Sequence, residues 1–132
     1  MIVIGSLHGE HVMIGPIGEI DADGFCSAKV EVRVSGFLAQ LEPYIQIRDL
    51  VEFRKEILAL YEKLEGVANF SPLEKELELR LAMDARGQVS VTGKAIKYYG
   101  ERDNQLTFEL SIDQTFLPSI AKSIERVVSG EV

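Results

Sequence analysis

Within residues 73 to 84, LEKELELRLAMD, the stretch from Glu76 to Leu81 alternates between charged and apolar side chains, and Met83 keeps the apolar parity. In an extended strand successive side chains point to opposite faces, so Leu77, Leu79, Leu81 and Met83 share one face while Glu74, Glu76, Glu78 and Arg80 share the other. The segment therefore predicts a strand with one face in a core and one face in water. SAKVEVRVSG, residues 27 to 36, predicts a second such strand: Val30, Val32 and Val34 lie on one side, Lys29, Glu31, Arg33 and Ser35 on the other.

Strands of the same kind recur. MIVIGSL and HVMIGPI read as short strands broken by Gly5, Gly15 and Pro16, and FLAQLEPYIQ resumes after Gly36 until Pro43 stops it. In the second half, ARG at 85 to 87 turns the chain from the first strand into QVSVTGKAIKYYG. ERDN turns it again into QLTFELSID, which places Leu106, Phe108, Leu110 and Ile112 together.

Two segments change period. In RDLVEFRKEILALYEKLEG, residues Leu50, Phe53, Ile57, Tyr61 and Leu64 recur at three and four, the spacing of an amphipathic helix. Asp49 with Glu52 three later predicts its capped start, and Gly66 its left-handed stop. In DQTFLPSIAKSIERVVSG, residues Leu117, Ile120, Ile124, Val127 and Val128 do the same. Asp113 or Thr115 would cap that helix, with Pro118 tolerated near the first turn and Gly130 after the end.

We therefore expect a single α+β domain over residues 1–132, a largely antiparallel sheet with two amphipathic helices on one face, in the order β-β-β-β-α-β-β-β-α. A chain of 132 residues can bury roughly two thirds of the surface it exposes when unfolded, enough for a core without a staple. Its longest apolar run, MIVIG, is too short for a signal peptide or a membrane helix, and the single cysteine, Cys26, suits a reducing compartment. The expected location is cytoplasmic, with no membrane partner. Twenty-one acids against fourteen bases give a formal charge of −7, the wrong sign for direct contact with nucleic acid and the right one for a basic protein surface.

Candidate chemistry is sparse. Glu19, Asp21 and Asp23 followed by Gly24 imitate the start of a calcium loop. With Glu19 as position 1, however, position 12 is Val30, and the flanks read as strands where an EF-hand has helices. An acidic turn between strands is the simpler reading. His8, Glu10 and His11 lack metalloprotease spacing, and Gly9 opposes a helix, so exposed histidines in a hairpin turn are expected. Asp21, Asp23 and Glu31 near Cys26 would raise its thiol pKa and make it a poor nucleophile. The chain has neither a phosphate loop nor a nucleophile elbow, and we expect no enzyme, no cofactor and no metal.

Two surface features remain. One is the acidic stripe Glu74, Glu76 and Glu78, read either as a solvated strand face or as a docking surface. The other is Tyr98 and Tyr99 beside a charged turn, of which one must face outward in a strand, where tyrosine favours interfaces.

The succession GEIDADGFCSAKVEVRVSGFLAQLE, IRDLVEFRKEILAL, LEKELELRLAMD and LTFELSIDQTFLPSIAKSIERVV resembles the WapI-type immunity proteins over residues from about 12 to 128. These are small bacterial proteins that neutralise the toxic C-terminal domain of a neighbouring polymorphic toxin. The resemblance implies a non-enzymatic cytosolic domain that acts by binding a cognate toxin, often a nuclease with a basic cleft. Exposure and charge nominate Glu74, Glu76, Glu78, Glu19, Asp21, Asp23, Tyr98 and Tyr99 as its contact residues. The competing expectations are a structural or self-associating domain, such as a homodimer formed through an uncovered sheet edge, and a domain that binds a small ligand in a pocket.

Overall fold

The structure, a computed structural model, describes residues 1–130. Its elements run β1 (Ile2–Gly5), β2 (His11–Ile17), β3 (Phe25–Val34), β4 (Phe37–Leu41), β5 (Tyr44–Gln46), α1 (Ile47–Lys63), β6 (Val67–Phe70), β7 (Leu77–Met83), β8 (Gln88–Tyr99), β9 (Arg102–Asp113) and α2 (Leu117–Val128). The order of strands, helix, strands, helix is as expected, and the fold is α+β.

The strands form two antiparallel sheets, one in each half of the chain. The first is ordered β1-β2-β3-β4, with β5 also on β3; the second is β6-β7-β8-β9. Each half contains one short strand that periodicity did not reveal. Pro43 divides β4 from β5, so the chain pairs first with the C-terminal half of β3 and then, from Tyr44 to Gln46, with its N-terminal end. In β6, Ala68 and Phe70 point inward, but four residues are too few to establish an alternation.

Burial follows parity. Val30, Val32, Leu77, Leu79, Leu81, Val89, Val91, Phe108, Leu110 and Ile112 all enter one apolar cluster drawn from both sheets and both helices. Helix α1 packs on α2 and β6, and α2 on β1. The buried stripe of α1 is Leu50, Phe53, Ile57 and Leu60, whereas Tyr61 and Leu64 of the expected stripe are exposed. A true helical repeat from residue 50 falls between 60 and 61. Contact with β6 and α2 then selects Leu60.

The start of α1 lies three residues before the expected one. Gln46 is the N-cap, and Asp49, read from sequence as the cap, is the third helical residue, whose carboxylate accepts the Gln46 N–H at 3.2 Å. At the other end the left-handed cap is Leu64, φ 58°, ahead of Gly66. Asp113 caps a 3-10 turn, Gln114–Phe116, by accepting from Thr115 N–H, and Pro118 sits in the first turn of α2. Among the described residues no helix is long and apolar enough to cross a membrane.

Candidate partner-binding surface

The acidic turn joins β2 to β3, and its three acids have different fates. Asp21 Oδ1 accepts the backbone N–H groups of Asp23 and Phe25, each at 2.9 Å, and its Oδ2 accepts the Tyr44 hydroxyl at 2.9 Å. The Phe25 N–H, with help from Tyr44, holds the Asp21 carboxyl below its ordinary range despite some desolvation. The same hydrogen bond raises the Tyr44 phenol, and the Tyr44 ring stacks on Phe25 at 5.5 Å. Asp21 therefore organises the loop. Glu19 and Asp23 are exposed. The turn seats against the start of α1 through Ile47 N–H to Gly24 O at 2.8 Å.

The expected acidic stripe is not a strand face. Strand β7 begins at Leu77, so Glu74 and Glu76 lie in the preceding loop and only Glu78 is on the strand. Pro72 lies just upstream, and the ladder extends past β7 by one bond, Ile96 N–H to Glu76 O at 2.8 Å. Glu78 stands directly opposite Lys94 and two residues from Arg80. Those three, with Asn69, Thr92 and Thr107, line an open groove of about 600 Å³ whose charge is mixed.

Tyr98 and Tyr99 lie at the end of β8, 51% and 71% exposed. One outward tyrosine was required by alternation; both are outward because the β8–β9 hairpin outruns the core. Arg102 lies 6.0 Å from the Tyr99 ring centroid. The Ile96 N–H to Glu76 O bond places the Glu76 backbone beside β8 two residues before Tyr98, while Glu74 lies further back in the loop before β7. Among the described residues, no hydrogen bond or ion pair joins Glu19 or Asp23 to that group.

The histidines correct a further expectation. His8 is exposed, but His11 is only 2% exposed. Its Nδ1 faces the carbonyls of Ser6 and Gly9, each at 3.0 Å, and its Nε2 lies 2.8 Å from Glu31 Oε2. All three partners are acceptors, so every contact becomes a hydrogen bond only when both ring nitrogens carry a hydrogen. The His11 hydrogen bond holds the Glu31 carboxyl below its ordinary range. Sequence reasoning missed this pair because it is diagonal across β2 and β3, where His11 opposes Arg33 and Glu31 opposes Met13. The outward parity of Glu31 was the only available signal.

Cys26 is buried, and desolvation, followed by the Asp21 charge, raises its thiol, the direction expected. Among the described residues, no three His, Cys, Asp or Glu side chains are grouped to hold a metal ion. A second open groove, about 520 Å³, is lined by Met13, Lys29, Glu31, Gln40, Glu42 and Lys97, among others. It also mixes charges of both signs.

The model of the Immunity protein WapI-like family matches residues 3–129. The chain belongs to that family. The match begins within β1, so the N-terminal strand, outside the resemblance seen in the sequence, is part of the WapI-like domain. No curated protein matches the chain.

Proposed function

We infer that this protein is a non-enzymatic immunity protein that binds and neutralises the toxic domain of a polymorphic toxin in the cytoplasm. The observation that carries this reading is the family match over nearly the whole chain. The toxin is taken to be a nuclease, because a net charge of −7 suits occupation of a basic cleft where phosphates would sit. Glu74, Glu76, Tyr98 and Tyr99 form the main contact group, and Glu19 and Asp23 add exposed acid. Asp21 and Glu78 are weaker candidates, the first engaged by its own loop and the second facing Lys94.

Growth of cells expressing the toxin domain encoded beside this chain, with and without the protein, is the direct test. Rescue, with a purified complex that weakens as salt rises, is the expected result. Failure to rescue, with no complex, would refute the pairing. Charge reversal by Glu74→Lys and Glu76→Lys should weaken binding and flatten its salt dependence; unchanged values would move the contact surface elsewhere.

Self-association is a second reading, favoured by β4. This edge strand, Phe37–Leu41, carries no charged residue and exposes Phe37 and Leu38. Sedimentation over a concentration range separates the two readings.

A further inference from the structure

From Lys97 to Gln105 every residue is exposed, yet the chain is regularly paired: Lys97 with Asn104, Tyr98 with Asp103, Tyr99 with Arg102. The ladder to β7 ends at Leu77–Ala95, with one further bond at Ile96. Beyond that point β8 and β9 are a two-stranded ribbon that leaves the core, closed by Gly100 in a positive-φ conformation (63°) and Glu101. Such a ribbon is marginal alone, and here the four-stranded sheet anchors its base.

Adjacent strand residues point to opposite faces, so Tyr98 and Tyr99 stand on the two sides of the ribbon. A flat partner, or a strand added at an edge, would cover at most one of them. Only a concave partner that closes around the ribbon covers both. The ribbon also carries two bases, Lys97 and Arg102, and two acids, Glu101 and Asp103, so it is locally neutral in a chain of charge −7. A locally neutral, aromatic tip is less costly to desolvate than the acidic surface around it. Tyrosine gives large contact area for the loss of two side-chain torsions, and the Arg102 guanidinium beside the Tyr99 ring limits its motion further.

We propose that the β8–β9 ribbon is an insertion finger that enters the cleft of the toxin domain, with Tyr98 and Tyr99 each buried against an opposite wall. This rests on the immunity reading above and adds its mode of contact. Acidic residues around the base draw the basic partner in, and the ribbon closes the cleft to substrate.

The test titrates the full-length protein against the toxin domain encoded beside it, at low and high salt. Tyr98→Ala and Tyr99→Ala should each weaken the complex by about tenfold or more, at both salt concentrations. Leu7→Ala, an exposed apolar change away from the ribbon, should have no effect. Both tyrosines lie outside the core, so melting temperatures should match wild type. Should an alanine lower one, Tyr98→Lys and Tyr99→Lys repeat the test with long side chains. A wild-type complex that loses affinity at only one tyrosine means flat docking and overturns insertion, and loss at neither overturns the ribbon as contact. Weakened self-association of the free chain, with toxin binding intact, also overturns it. Absence of any wild-type complex refutes the immunity reading itself, and the finger with it.

Discussion

Phe108 lies across Gly93, its partner in the β8–β9 register, so that its ring occupies the space a side chain at 93 would need. A β-carbon added at Gly93 would run into the Phe108 ring and would also stand 2.8 Å from the Glu78 backbone carbonyl, which cannot swing aside. Gly93→Ala should therefore destabilise the protein by about 1–3 kcal/mol, the cost of overpacking. Urea unfolding measures this, and an unchanged midpoint would mean that the second sheet yields. Phe108→Leu in the Gly93→Ala background should recover part of the loss.

Leu64 ends α1 with φ 58° and is 55% exposed. The left-handed conformation costs a residue with a β-carbon about 1–2 kcal/mol, and glycine adopts it freely. Leu64→Gly should raise stability by about 1 kcal/mol, because the strain removed outweighs the added freedom of the unfolded chain. Thermal melting checks it; a lower midpoint would show that the exposed leucine contributes packing greater than its strain.

Replacing His11 by Phe keeps a buried ring but leaves Glu31 and the carbonyls of Ser6 and Gly9 without their donor, at a cost of about 1–3 kcal/mol. Glu31 itself links this pair to pH. Its carboxyl is held below an ordinary 4.5, so its contribution is fully present above that value and is lost as pH falls through the lowered one, where the unfolded chain already binds the proton. Unfolding midpoints from about pH 6 down to about pH 3 should fall less steeply in Glu31→Gln than in wild type. Parallel curves would place the acid sensitivity elsewhere.

Asp21→Ala removes the acceptor of two backbone N–H groups and of the Tyr44 hydroxyl and should lower the unfolding midpoint, while Glu19→Ala, on the same turn, should leave it unchanged. Tyr44→Phe should show a smaller part of the Asp21 loss. Equal behaviour of Asp21→Ala and Glu19→Ala would remove the loop-organising role.

Periodicity was sufficient for most of the fold. Alternation in 27–36 and 77–83 and the three-and-four spacing in 50–64 and 117–128 each place apolar side chains on one face, and those faces are buried or half-buried except at Tyr61 and Leu64. The acidic turn and the hairpin at 85–87 were legible because Asp and Gly carry their own backbone chemistry, visible in Asp84 Oδ1 accepting from Arg86 and Gln88.

Pairing register and element ends were not legible. The sequence marked Glu74, Glu76 and Glu78 as equivalent by parity, and only the position at which β7 enters its ladder separates them into two loop acids and one strand acid facing a lysine. In the same way Asp21, Glu19 and Asp23 look alike until Tyr44 and Phe25 arrive from other parts of the sheet. His11 finds Glu31, and Phe108 finds Gly93, across strands whose register no single segment encodes. Local sequence determines which way a side chain faces, because that depends on the period of its own backbone. What it faces depends on contacts between distant segments, and only the assembled sheets decide them.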